Sequence, residues 1–178
     1  MELGRGIRTQ AAAALHVLPP DARLFLNLHP VDLNDATLYD EGPLTRVASR
    51  IVLEITERAS LDGIPSLSER LMALRSQGYQ LAVDDLGAGY AGLSSMAHIE
   101  PEYVKLDMSL VRGIDGTPTK QKVVSSMAHL CDDLGMHVVA EGIETHAERD
   151  ALRATGCELL QGYLFAKPES SPPAVHWD

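Results

Sequence analysis

Leu81-Ala82-Val83-Asp84-Asp85-Leu86-Gly87-Ala88-Gly89-Tyr90 runs from an apolar segment through paired acids into a glycine-rich turn. Four further apolar runs close in the same way. Leu53-Glu54-Ile55-Thr56-Glu57, Val104-Lys105-Leu106-Asp107 and Val139-Ala140-Glu141-Gly142-Ile143-Glu144 end in acids, and Leu24-Phe25-Leu26-Asn27 ends in an amide. Polar groups at the carboxyl ends of successive strands are where a parallel β/α barrel builds its active site. Carboxylates gathered at one partly desolvated mouth must take up protons or bind cations, so the pattern predicts a divalent metal site.

The rest of the chain has the matching rhythm. Strands are expected at Leu24–Leu28, Arg50–Ile55, Gln80–Asp84, Tyr103–Leu106, His137–Ala140 and Leu159–Tyr163. Helical patterns separate them, which favours parallel βαβ units over a meander. Ser66-Leu67-Ser68-Glu69 and Thr145-His146-Ala147-Glu148 both fit a capping box, in which hydroxyl and carboxylate satisfy orphan amides at a helix start. Gly78, Gly135 and Gly156 stand where left-handed helix caps are needed. Helices are expected over Met1–Leu18 and Thr119–Leu134, and a short one within Pro30–Ala48. Six strands are two short of a closed barrel of about 250 residues, and the deficit lies at the front. The expected fold class is therefore α/β, a TIM-type β/α barrel, N-terminally truncated. Residues 1–168 form the domain and 169–178 a loose tail rich in proline and serine.

At 178 residues, 45% hydrophobic and 22% charged, the chain has apolar material for one sizeable core. A formal charge of −10 argues against a surface that tracks DNA or RNA by counterion release. Cys131 and Cys157 lie far apart, without the spacing of a disulfide framework or thiolate zinc site. A reducing cytoplasm is the expected location, and no apolar run is long enough to span a bilayer. The seven histidines form no H-E-x-x-H pattern, and neither a phosphate-cradling P-loop nor a dinucleotide fingerprint occurs.

Strand periodicity decides which way the polar residues face. Val104 and Leu106 share one side of their strand, Lys105 and Asp107 the other, and the second side is the lumen or its rim once helices cover the outside. Asn27 and Glu54 show the same pattern. Paired aspartates at a strand end let one carboxylate bridge two cations while its neighbour ligates one. Glu57 and Glu144 each trail a strand-end glutamate by three residues; they read either as surface acids or as residues that orient ligands and loops. His29 either lines the site beside Asn27 or is an ordinary hydrogen-bonded histidine at a strand end.

Taken together, Asn27, Leu53–Glu57, Asp84–Tyr90, Val104–Asp107, Ala140–Glu144 and Gln161-Gly162-Tyr163 resemble the EAL domain family, bacterial phosphodiesterases that open cyclic di-GMP to linear pGpG. The likeness runs from about Glu2 to Pro168. It implies a modified TIM-type β/α barrel whose first strand is antiparallel to the others, often dimeric, and often joined to sensory or diguanylate cyclase modules. It also implies a two-metal site for Mg²⁺ or Mn²⁺. Asn27, Glu54 and Asp84 resemble ligands of the first ion, with Asp84 bridging to a second that Asp85 helps to hold. Lys105 and Glu141 resemble the pair that positions and deprotonates the attacking water. Gln161, Asp107 and Glu144 resemble supporting site residues, and Glu57 the glutamate that anchors the loop after the paired aspartates. Leu86, Ala88 and Ala91 depart from the family's aromatic and hydroxyl positions. No Glu-Ala-Leu triplet occurs, and Glu2-Leu3-Gly4-Arg5 resembles the helix that follows it, so the chain is expected to begin beyond that strand and to lack one first-metal glutamate. Two alternatives to hydrolysis stay open: a non-catalytic cyclic di-GMP receptor and a dimerisation module.

Overall fold

The computed structural model describes residues 2–56, 64–88, 92–169 and 173–175. Among the described residues, six strands form one parallel sheet in chain order: β1 (Leu24–Asn27), β2 (Ile51–Thr56), β3 (Gln80–Leu86), β4 (Tyr103–Leu106), β5 (His137–Ala140) and β6 (Leu159–Leu160). The helices are α1 (Glu2–Ala14), α2 (Leu67–Ser76), α3 (Gly92–Ile99), α4 (Met108–Val111), α5 (Pro118–Asp133) and α6 (His146–Ala154). The expected half-barrel of parallel strands is the observed architecture.

Two-residue alternation builds its layers. Leu26, Leu53, Ile55, Leu81 and Val83 face outward into a core shared with Ala12 of α1, Leu15 just beyond it, and Leu71 and Leu74 of α2. Val104, Leu106, Val138 and Ala140 face a second outer core with Val124, Ala128 and Cys131 of α5. The concave side holds a small apolar layer of Phe25, Val52, Ala82, Tyr103 and Val139. Phe25 packs edge-on against Tyr103 at 5.3 Å between ring centroids, an arrangement that matches ring quadrupoles. Each concave apolar residue is followed two positions later by a polar one: Asn27, Glu54, Asp84, Lys105 and Glu141. One step up each of these five strands, the lumen changes from apolar to polar.

β4 and β5 have the expected bounds, and β3 runs two residues beyond its expected end. β6 is shorter than expected because Gln161 leaves the ladder: its N–H donates to Ala140 while its carbonyl accepts from Ile143. The stretch expected to hold one short helix instead makes three 3-10 turns, Pro30–Asn34, Ala36–Leu38 and Thr45–Arg50. His29 Nδ1 caps the first turn, accepting from the Val31 N–H at 3.2 Å, so His29 takes the local role. Ser66 corrects another expectation. It sits at φ 54° in the left-handed region, and its hydroxyl makes no capping bond, since a side-chain cap requires extended backbone at that position. The second expected capping box, Thr145 with Glu148, is present, and Gly78, Gly135 and Gly156 take positive φ. No helix among the described residues is long and apolar enough to cross a membrane.

Candidate functional site

The β3–β4 register slips between Val83 and Leu86: three residues of β3 advance against two of β4, from Val104 to Leu106. A bulge of this kind leaves one residue unpaired and re-aims its side chain. Asp85 adopts φ 61° there, and its N–H donates to Asp84 Oδ1 at 2.9 Å. On a regular strand, adjacent aspartates would point to opposite faces. The bulge brings them together, so that one oxygen each from Asp84, Asp85 and Glu141 lie within 4.8 Å of one another.

Lys105 Nζ stands among these acids, 2.7 Å from Glu141 Oε1 and 3.1 Å from Asp84 Oδ1, and it also pairs with Glu54 Oε1. Lys105 and Glu54 are each only 5% exposed. Burial drives the carboxyls of Glu54 and Glu141 above the ordinary glutamate range, and the Lys105 ammonium only partly offsets this. Burial by itself would pull Lys105 down, but Glu54 and Glu141 more than reverse that and hold its proton above the ordinary lysine value. Glu54, Asp84, Asp85 and Glu141 outnumber the single ammonium four to one. That excess of hard oxygen donors fits Mg²⁺ or Mn²⁺.

The other residues named from the sequence are placed less centrally. Asn27 pairs with Glu54 across the β1–β2 register, but its side chain is exposed. Asp107, half-buried, caps α4 by accepting from the Ser109 N–H at 2.9 Å. Exposed Glu144 pairs with Arg112, and the Gln161 side chain is exposed while its backbone ties β5 to β6. Glu57 lies outside the described residues. A cleft of about 570 Å³ beside the cluster is lined by Met108, Arg112, Gly142, Glu144, Gln161 and Tyr163. Gly142, at φ 73°, is required there, because a Cβ would come within 2.8 Å of the Met108 Cβ. Pro173 and Val175, in the segment expected to be a loose tail, also line this cleft.

Sequence reasoning passed over Arg112 and the tertiary role of Glu148. Glu148 is buried, with Oε1 accepting from the Gly113 N–H at 2.9 Å and Oε2 from the Glu144 and Thr145 N–H groups at 3.0 and 3.2 Å. Its capping-box spacing was visible, but the bond to Gly113 spans 35 residues and left no local signal.

Comparison with known proteins agrees with this geometry. The EAL domain family model matches residues 2–168. The probable cyclic di-GMP phosphodiesterase PdeG of Escherichia coli K12 is 32% identical over 91% of this chain and 33% of its own length. The cyclic di-GMP phosphodiesterase RocR of Pseudomonas aeruginosa is 36% identical over 82% of this chain and 38% of its own. The chain thus spans roughly a third of the length of these relatives. Among solved structures, Klebsiella pneumoniae BlrP1 in complex with manganese and cyclic di-GMP at pH 6 superposes with a TM-score of 0.83 at 37% identity, covering 94% of this chain and 44% of that one. The acid-rich mouth, the bulge that pairs two aspartates and the match along nearly the whole length place this chain in the EAL domain family.

Proposed function

We propose that this chain carries a divalent-metal-dependent phosphodiesterase site that hydrolyses cyclic di-GMP to linear pGpG. The observation that carries the reading is Lys105 Nζ set between Glu141 and Asp84 at 2.7 and 3.1 Å, beside the Asp84–Asp85–Glu141 oxygen cluster. Asp84, Asp85, Glu54 and Asn27 would hold Mg²⁺ or Mn²⁺, which when bound supplies a Lewis acid for the phosphate and a water acidified towards neutral pH. Glu141 accepts the proton of the attacking water, a task suited to a carboxyl whose proton affinity burial has raised. Lys105 orients that water and balances the charge growing on the phosphate oxygens. Gln161, Asp107, Glu144 and Glu57 support the loops around the reacting centre. The adjacent cleft, with Arg112 and Tyr163 on its wall, leaves room for the nucleotide. The same reading gives a cytoplasmic homodimer that works beside sensory or diguanylate cyclase modules.

The test is pGpG formation from cyclic di-GMP, followed by chromatography with Mg²⁺ or Mn²⁺ and again with a chelator. Metal-dependent conversion is expected. Tight binding without conversion would replace hydrolase by receptor, and neither binding nor conversion would leave the dimerisation reading.

A further inference from the structure

We infer that Glu148 is a positioning residue that sets the spacing between the loop after β4 and the loop after β5, and thereby holds Glu141 against Lys105 and Asp84. This rests on the site reading given above. Glu148 is 5% exposed, and its two oxygens are divided between the two loops. Oε1 takes the N–H of Gly113, in the left-handed turn that ends the β4–α4 segment, while Oε2 takes the N–H groups of Glu144 and Thr145 after β5. Arg112 Nη1 stands 3.9 Å from the same Oε2, and Arg112 also pairs with Glu144.

A helix cap needs none of the contacts to Gly113 or Arg112. The α6 cap is complete with the Thr145 hydroxyl accepting from the Glu148 N–H and Glu148 accepting from the Thr145 N–H. The extra contacts join the two loops through one buried side chain, beside the exposed Arg112–Glu144 ion pair. Each loop starts at a site residue: Lys105 lies two positions before Asp107, the α4 cap, and Glu141 lies three before Glu144. The loops also touch at Gly142 and Met108, where no room remains for a Cβ. Lys120 Nζ fixes the other side of α4, donating to the Ser109 and Arg112 carbonyls at 2.7 Å. A carboxylate is suited to the bridge because its two oxygens accept in two directions at once. Burial alone would raise its proton affinity, but the N–H groups of Gly113, Glu144 and Thr145 outweigh that and keep it ionised.

Thr145→Ala supplies the control, since it breaks the cap while leaving both loop contacts of Glu148 intact. Two readouts are taken on the full chain: Mn²⁺ affinity by calorimetry and amide exchange at Gly113 and Glu144. Glu148→Ala should weaken Mn²⁺ binding by about tenfold, the lower end for losing a group that orients metal ligands, and should speed exchange at both amides. Thr145→Ala should leave the Gly113 amide and the Mn²⁺ affinity near parent values. Glu148→Gln keeps the volume and one acceptor oxygen, so it should fold and free one loop only, with faster exchange at Gly113 or at Glu144. Matching behaviour of Glu148→Ala and Thr145→Ala in both readouts would reduce Glu148 to a helix cap and overturn the inference. If Glu148→Ala fails to fold, unchanged exchange at both amides in Glu148→Gln overturns it equally. A parent chain that binds no Mn²⁺ would count against the functional reading, while the exchange comparison still decides whether Glu148 spans the loops.

Discussion

Lys105 on β4 and Glu141 at the end of β5 meet at 2.7 Å inside the concave face of the sheet. Both descend from the same alternation: Tyr103 and Val139, two residues earlier on each strand, are the apolar floor below them. The pair joins a carboxyl of raised proton affinity to a buried ammonium, the relationship that the proposed water-activating site requires.

Glu141→Gln keeps shape and hydrogen bonding but removes the proton acceptor. Turnover of cyclic di-GMP should fall by at least about 10²-fold, the lower end of general-base assistance, with little change in nucleotide affinity. Single-turnover kinetics beside calorimetry separate the two quantities. Normal cleavage by this variant would remove Glu141 from the mechanism.

Asp84→Ala combined with Asp85→Ala strips two of the three oxygens that lie within 4.8 Å of one another. Mn²⁺ binding should disappear from the calorimetric trace while far-ultraviolet dichroism stays that of the parent. Undiminished binding would put the metal elsewhere.

Lys105→Met leaves Glu54 without its ammonium partner in a buried position. Losing one member of a buried ion pair should destabilise the fold by about 3 kcal/mol. Added Mn²⁺ should restore part of that loss, because a divalent cation can neutralise the same acids. Denaturant melts with and without Mn²⁺ give the answer, and a variant as stable as the parent would show that the pair contributes nothing net.

The acid limb of stability should be governed by the contacts of α1. Arg8 is buried against Asp32 at 3.1 Å and Asp35 at 2.5 Å, and Arg5 also reaches Asp35. Arg5, aided by Thr37 and opposed by burial, holds the Asp35 carboxyl well below its ordinary value of 3.8. A depressed carboxyl stabilises the fold above its unfolded pKa, and that contribution is lost as pH falls through the folded value. Stability should therefore decline below about pH 4, and Asp35→Asn should be less stable at neutral pH but less sensitive to acid. Chemical denaturation between pH 6 and pH 2 tests the slope; parallel curves for parent and variant would assign the acid sensitivity to other groups.

Local rules were enough to read the repeating unit. Alternation placed β4 and β5 to the residue, and the apolar runs ending in acids put Glu54, Asp84, Lys105 and Glu141 on one concave face. Thr145 and Glu148 were legible as a cap because that chemistry is contained within four residues. Ser66 was misread because the same residue types occur there, but its backbone takes φ 54°, and residue types alone do not specify that angle.

What only the tertiary structure decided is how neighbouring strands are staggered. The bulge at Asp84–Asp85 shifts β3 by one residue against β4 and turns two consecutive carboxylates to one side. The three partners of Lys105 come from three other strand ends, and Glu148 finds Gly113 across 35 residues. The sequence by itself determined which side chains face the lumen, since that depends on a two-residue period within each strand. Which of them touch depends on register and loop packing between segments far apart in the chain, and no local pattern encodes those distances.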